Sequence, residues 1–207
     1  IIKRPSVLSV SPSLVHVFAK SSSKLKIPDL EYVMSPASFK EGTVGLLDKV
    51  SGMTLGVWQP RPKSNGYVKI NSKNIHEPPI INPNYLSDPY DVDVLLKSIK
   101  IGRNLLSTSP LQPYLNGQAN PSNDLQTDDE LLSWARNEGI TVYHMIGTAK
   151  MGPKSDKLAV VNNKLQVRGI ESLRVADASI MPAMPSGNTN APTMIIAEKA
   201  SDMILGK

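Results

Sequence analysis

Cysteine is absent from the 207-residue chain, and this absence excludes disulfide bonds, thiolate metal ligands and a cysteine nucleophile. Aromatic residues make up only 5% of the sequence, and no stretch alternates them with basic residues as a nucleic-acid stacking platform would. The chain has a net charge of +5, but its basic residues are scattered among acids. We therefore expect no nucleic-acid partner.

Long hydrophobic runs are also missing. No apolar stretch approaches the roughly 20 residues that a membrane-spanning helix needs, and the first residues lack the features of a signal peptide. Histidines and carboxylates do not recur at metal-ligand spacing, and neither a G-x-S-x-G elbow nor a P-loop occurs. We expect a soluble chain without a membrane span and without a metal site.

Short runs rich in Val, Leu and Tyr occupy the first 70 residues and are separated by prolines. This pattern predicts an antiparallel sheet. The proline-rich stretch around residues 74–84 is interpreted as a connection. The predicted strands are the runs at residues 6–10, 14–20, 29–34, 53–60 and 66–72.

Three helices are predicted further along the chain. The first is amphipathic and begins at Asp91, and the second covers about residues 128–137 with Thr127 as its N-cap. The third runs from Ala191 to about Leu205, with Asn190 as its cap. It is apolar nearly all round, so we expect it to be buried. Its N-terminus is either an anion or oxyanion site or the start of a well-capped structural helix.

Three histidines are present, and their settings differ. His16 lies in a strand-like run and His76 lies in a connection, so both are interpreted as satisfied or solvent-facing. His144 ends the apolar segment "ITVYH" and leads into the Gly147-Thr148 turn, where functional side chains are often displayed. An imidazole there is a candidate general base, although a lone histidine is more often structural.

Two stretches of the C-terminal third are read together. "YHMIGTAKMG" and "VVNNKLQVRGIESLRVADASIMPAMPSGNTNAPTMIIAEKASDMI" resemble, in order and spacing, the C-terminal signature of the glucose-methanol-choline (GMC) family of flavin-dependent oxidoreductases. Upstream, "PDLEYVMSP", "WQPRPKSNGYVKINS" and "PPIINPNYLSDPYDVDVLLKSIKIGRNLL" are similar to the substrate-domain segments of that family. The resemblance covers nearly the whole chain.

The resemblance implies an α+β fold and an enzymatic role. The fold would comprise a substrate-binding domain, an antiparallel sheet with helices over residues 1–141, and an active-site segment over 142–207. A strand and a helix in that segment would complete an FAD-binding α/β domain. His144 matches the family's catalytic histidine, which takes the proton of an alcohol substrate as hydride leaves the adjacent carbon. Asn188 matches the second active-site position, which orients the substrate and stabilises developing alkoxide charge.

The resemblance also implies FAD as the cofactor. Thr189 and Asn190 match residues whose backbone N–H groups meet the flavin ring, whereas Asp177 and Ala178 match contacts to the ribityl and phosphate part. The family's G-x-G-x-x-G turn, which holds the ADP half of FAD, does not occur in this sequence. We therefore expect the N-terminal FAD-binding portion of the enzyme to be the partner of this chain, as a cleaved chain or a separate subunit.

The sequence leaves other functions open. A non-catalytic structural or interaction subunit would keep the fold, but it would have no need of both His144 and Asn188. A lyase of the same fold would use the histidine without net redox change, and a photodecarboxylase would need a cysteine. Trp58, Tyr32 and Phe39 are candidates for the substrate pocket, although each is more typical of a core.

Overall fold

The structure is a computed structural model that describes residue 13, residues 15–40 and residues 45–207. The chain forms two compact units, one of Ile1–Gln59 with Asp88–Val142 and the other of Pro60–Ser87 with Tyr143–Lys207. Each unit combines two separate stretches of sequence. The assignment of a substrate-binding role to residues 1–141 and an active-site role to residues 142–207 stays a prediction.

A three-stranded antiparallel sheet forms the centre of the first unit. Its strands are β1 (Val15–Ala19), β2 (Leu30–Ser35) and β3 (Thr54–Trp58), with β2 in the middle. These strands confirm three of the predicted runs, and the run at residues 6–10 lies outside the described residues. β2 is almost wholly buried, as expected for a central strand covered on both faces.

Two helices accompany this sheet. Helix α1 (Pro89–Leu106) begins two residues before the predicted start, because the side chain of Asp88 accepts a hydrogen bond from the Tyr90 N–H and a proline occupies the first turn. Helix α2 (Asp128–Glu138) begins as predicted. Thr127 and Glu130 form a complete capping box at its N-terminus.

The core of the first unit lies between β2 and α1. Leu30, Tyr32 and Val94 are buried there, and the Tyr32 hydroxyl donates a 2.9 Å hydrogen bond to the backbone carbonyl of Ser98 on α1. Tyr32 is therefore a core residue with a satisfied polar end. Trp58 and Phe39, the other two pocket candidates, are partly buried.

The second unit contains a small sheet and one long helix. Strands β4 (Tyr67–Lys69) and β5 (Ile80–Asn82) pair in antiparallel fashion, so the stretch around residues 74–84 is not a plain connection as predicted. Its prolines stand outside the three paired residues, and these residues are free to donate to β4. Helix α3 covers Asn190–Leu205.

The C-terminal strand that the sequence predicts is shortened to an isolated bridge. The segment that follows Leu173 makes an isolated antiparallel bridge between Arg174 and Gln166 instead of a strand. A neighbouring bridge joins Val161 to Met151, and another joins it to Val167. Each of these bridges pairs one residue with one other, outside any continuous strand. The region therefore consists of loops joined by isolated bridges.

Helix α3 packs on these loops through one side only. Its buried residue is Ala200, which lies against Val161, Leu165 and Ile180. The expectation of a buried helix is wrong for the residues that the structure describes. Within residues 13, 15–40 and 45–207, nothing covers the apolar side chains on the other sides of the helix, and each is more than a third exposed: Met194, Ile195, Met203, Ile204 and Leu205.

Across the described residues, no helix is both long and apolar enough to cross a membrane.

Candidate active site

The loop that carries His144 is shaped by unusual backbone geometry. Tyr143, immediately before the histidine, has a φ of 60°, which a bulky side chain rarely adopts. Gly147 follows with a φ of 85°, a conformation that glycine reaches without strain. The predicted strand-to-loop position of His144 is therefore a strained turn without a strand before it, and such strain is typical of functional sites.

Backbone hydrogen bonds join this loop to the segment after Asp177. The N–H groups of Ala149 and Met151 donate to the carbonyls of Ser179 and Ile180 over 3.0 and 2.7 Å. Ile180 also belongs to the buried cluster beneath α3. The histidine loop and the approach to α3, far apart in sequence, are thereby held against one core.

Both ring nitrogens of His144 have side-chain partners from the residues just before α3. Nδ2 of Asn188 lies 2.9 Å from Nε2 of His144, and Oγ1 of Thr189 lies 3.0 Å from Nδ1. Asn188 is exposed, His144 is half-buried and Thr189 is buried. The two candidate catalytic residues therefore lie in direct contact, with Nε2 facing the exposed Asn188 and Nδ1 facing the buried Thr189.

The side chain of Thr189 has a contact that the sequence interpretation missed. The sequence predicts a flavin contact for the backbone N–H of Thr189. In the structure the hydroxyl of the same residue is the second partner of the imidazole. The sequence offers only an ambiguous signal for this contact. A threonine directly after the active-site asparagine, at the start of a helix, has a hydroxyl available for either the helix or a neighbour.

The other predicted site residues lie around this cluster. Asn190 is the first residue of α3 and is exposed, so the prediction that it caps the helix is wrong by one position; Thr189 occupies the cap position. Asp177 caps a single 3-10 turn, Ala178–Ile180, by accepting a 2.8 Å hydrogen bond from the Ser179 N–H. Neither Asp177 nor Ala178 is seen in contact with His144.

An ion pair stiffens the segment after the histidine. Nζ of Lys150 lies 2.7 Å from Oδ2 of Asp156, whose Oδ1 accepts from the Leu158 N–H. The hydrogen bond from Lys150, and then that from Leu158, hold the pKa of the Asp156 carboxyl below its usual value. Asp156 is therefore ionised at neutral pH and neutralises the lysine. No group of three potential metal ligands occurs in the part of the chain that the structure describes.

Comparison with known proteins decides the family. The family model for GMC oxidoreductases matches residues 62–197, well over half of the sequence. The chain belongs to the GMC oxidoreductase family. The family prediction from the two C-terminal stretches is confirmed, and so is the predicted α+β fold class.

Individual relatives agree with this assignment. Over its whole length the chain is 37% identical to an alcohol dehydrogenase [acceptor] of Pseudomonas putida, of which it covers 37%. Over 92% of its length it is 38% identical to an oxygen-dependent choline dehydrogenase of Staphylococcus aureus, of which it covers 33%. This GMC chain therefore spans little more than a third of the relatives it matches.

A solved structure extends the comparison to the fold. A formate oxidase of Aspergillus oryzae, studied for modification of its FAD, superposes with a TM-score of 0.77 at 28% identity. The match covers 89% of this chain and 32% of that one. FAD, the cofactor that the resemblance implied, is accordingly the cofactor of the family to which this chain belongs.

The residues at the start of α3 fit one edge of such a cofactor. Among the described residues no side chain caps α3, and its third residue, Pro192, has no N–H. The positive end of the helix dipole therefore remains available beside His144 and Asn188. A flavin ring that carries negative charge when reduced suits this environment.

Proposed function

We propose that the protein to which this chain belongs is an FAD-dependent oxidoreductase that oxidises the CH–OH group of a small alcohol. The observation that carries the proposal is the 2.9 Å contact between His144 and Asn188, because it unites a base and an amide donor at one point. The substrate class is supported by the relatives named alcohol dehydrogenase and choline dehydrogenase.

His144 acts as the general base through Nε2. A neutral imidazole carries a lone pair on one ring nitrogen and can therefore accept a proton there. The substrate hydroxyl takes the place of the Asn188 amide at the Nε2 lone pair and donates its proton there. The alcohol is thereby prepared to lose a hydride from the carbon that bears the oxygen.

Asn188 orients the substrate and stabilises the charge that develops on its oxygen. Its amide nitrogen donates hydrogen bonds but does not accept a proton at neutral pH, so it cannot replace the histidine as base. An amide already positioned beside Nε2 interacts more strongly with an alkoxide than with a neutral hydroxyl. This difference lowers the barrier.

FAD, when bound, would supply the acceptor for the hydride that leaves the alcohol carbon as a carbonyl compound forms. In this proposal the backbone N–H groups of Thr189 and Asn190 and the N-terminus of α3 hold the ring edge that becomes negative. Asp177 and Ala178 contact the ribityl and phosphate part. Residues 1–141 have the substrate-binding role in this proposal.

The remainder of the FAD site comes from the FAD-binding portion of the same enzyme. Support for this partner comes from the length of the relatives, of which this chain covers 33–37%. Further support comes from α3, where Ile195 and Ile204 are 64% and 63% exposed. An apolar helix face of this kind is suited to burial against another part of the protein.

The test uses the full-length protein purified with its flavin. Under anaerobic conditions, a panel of primary alcohols including choline is added and the visible flavin spectrum is followed. We expect at least one alcohol to bleach the spectrum. In the His144→Ala variant we expect the bleaching rate to fall about 10²- to 10⁴-fold, the usual contribution of a general base.

His76→Ala is the matched control, because His76 is exposed and makes no contact with the site described here. It should bleach at the wild-type rate. If His144→Ala also bleached at the wild-type rate with normal FAD content, the histidine would be structural and the mechanism would be wrong. A flavin that no alcohol reduces would exclude the redox function and favour the lyase or the non-catalytic alternative.

A further inference from the structure

Thr189 differs from the other threonine that caps a helix in this chain. At α2, the hydroxyl of Thr127 accepts a hydrogen bond from the Glu130 N–H and completes a capping box. At α3, Thr189 occupies the same position, but its side chain caps no N–H. A threonine at this position usually caps the first turn of a helix, so Thr189 forgoes a favourable contact that its type and position would allow.

The hydroxyl of Thr189 instead faces His144. Oγ1 lies 3.0 Å from Nδ1, and Thr189 is only 7% exposed. Its backbone carbonyl is fixed as well, because it accepts from both the N–H and the hydroxyl of Thr193. A β-branched side chain on a fixed backbone has few rotamers, so the hydroxyl is held at one place with little access for competing water.

The two contacts of the imidazole together select one tautomer. The nitrogen of the Asn188 amide can only donate, so Nε2 of His144 must accept and carries no proton in this arrangement. In a neutral ring the single proton then lies on Nδ1. Only from there can it be donated to the Thr189 oxygen.

We propose that Thr189 is a positioning residue: its hydroxyl accepts the Nδ1 proton of His144 and thereby keeps Nε2 unprotonated toward the substrate. This inference rests on the proposed function, in which Nε2 is the base. A ring with its proton on Nε2 would present a donor to the substrate hydroxyl and could not take its proton. The consecutive residues Asn188 and Thr189 therefore fix both the orientation and the tautomer of the histidine.

Two variants separate the hydroxyl from the rest of the side chain. Thr189→Val keeps the β-branched shape and the backbone N–H but removes the oxygen, whereas Thr189→Ser keeps the oxygen. Both are made in the full-length, FAD-loaded protein, and their FAD content and thermal unfolding are compared with those of the wild type. The protein is labelled with ¹⁵N-histidine, and the His144 signals are assigned by their loss in His144→Ala.

The tautomer is measured from the ¹⁵N chemical shifts of the two ring nitrogens at a pH where the ring is neutral, in the absence of substrate. We expect the proton on Nδ1 in the wild type and in Thr189→Ser. In Thr189→Val we expect a mixture of tautomers, because the exposed Asn188 amide can rotate and accept a proton from Nε2 through its oxygen. We also expect kcat of Thr189→Val to fall about tenfold with KM nearly unchanged. A loss of this size is expected when a single hydrogen bond no longer favours the reactive tautomer. Thr189→Ser should restore kcat.

The inference is overturned if the wild-type ring carries its proton on Nε2, which would mean that the Asn188 oxygen faces the ring. That measurement needs no variant, so poor folding of Thr189→Val cannot obscure it. The inference is also overturned if Thr189→Val retains both the wild-type tautomer and the wild-type kcat. If the wild type shows the Nδ1 proton but no alcohol reduces its flavin, the proposed function fails while the assigned tautomer stands.

Discussion

The side-chain amide of Asn188 lies 2.9 Å from Nε2 of His144, although 44 positions separate the two residues in sequence. Neither residue belongs to a strand, and both stand on loops held to a common core by Ile180 and its neighbours. The geometry of the base and the donor therefore depends on that core as well as on the two residues themselves.

Removal of the Asn188 amide should slow the reaction without unfolding the protein. Asn188 is exposed, so Asn188→Ala leaves no cavity. The lost donor stabilises charge mainly in the transition state, and we expect kcat to fall about 10²- to 10³-fold with a smaller change in KM. Anaerobic stopped-flow measurement of flavin bleaching checks this prediction.

Asn163→Ala is the control variant, because it makes the same chemical change at another exposed asparagine of the second unit. It should leave kcat unchanged. An Asn188→Ala variant with the wild-type kcat would mean that the amide has no role in the reaction.

Substitution by alanine should change the stability of the protein in opposite directions at Gly102, which is buried, and at Gly152, which is crowded. At Gly102, within α1, an added Cβ would lie at 3.5 Å from the nearest atoms of Leu55 and Tyr32, an ordinary contact distance. Alanine there removes the helix penalty of glycine, and we expect a gain of about 0.5–1 kcal/mol in the free energy of unfolding. At Gly152 the added Cβ would lie only 2.8 Å from the Cβ of Ala159.

We expect Gly152→Ala to lower the free energy of unfolding by about 1–3 kcal/mol, because the neighbouring loop must move. Thermal unfolding of the two variants beside the wild type measures both effects. Equal unfolding temperatures in the two variants would contradict this interpretation of their surroundings.

Stability at alkaline pH should depend on Tyr32. Burial, with a smaller effect of the Asp29 carboxylate, raises the pKa of Tyr32 to about 12 in the folded protein, compared with 10.0 ordinarily. A raised pKa stabilises the folded state fully below pH 10, and this contribution is lost as the pH rises through about 12. The loss amounts to about 2–3 kcal/mol, since one pKa unit corresponds to about 1.4 kcal/mol.

Tyr32→Phe lacks the ionisable group and is the comparison. At pH 8 it should be about 1 kcal/mol less stable than the wild type, because the hydrogen bond to the Ser98 carbonyl is gone. Toward pH 12 the order should reverse. Denaturant unfolding across this range measures the difference, and parallel curves would show that Tyr32 does not titrate as described.

The sequence predicted the elements whose signals are local. Thr127 with Glu130 marks the start of α2, and runs rich in Val, Leu and Tyr between prolines mark β1 to β3. β5 escaped prediction because its three residues stand beside prolines and acquire their structure from β4. The burial of α3 was overestimated because an apolar helix indicates that burial is needed but does not say which segment supplies it.

The candidate site shows the same division. The family motifs point to His144 and Asn188, and the contact between the two side chains is seen only in the structure. The hydrogen bond of the Thr189 hydroxyl to the ring could not be predicted, because a threonine before a helix ordinarily caps it. Only the placement of the imidazole within 3.0 Å shows that this hydroxyl has another partner.

Ala200 sits at the buried end of the arrangement that begins with Thr189. It is 3% exposed and packs against Val161, Leu165 and Ile180. A helix rises 1.5 Å per residue, so this methyl group lies about 16 Å along α3 from the threonine. A larger side chain at position 200 would meet Val161, Leu165 and Ile180 and push α3 off the core that also holds the histidine loop. The spacing between Asn188, Thr189 and the imidazole therefore depends on a small apolar residue outside the site.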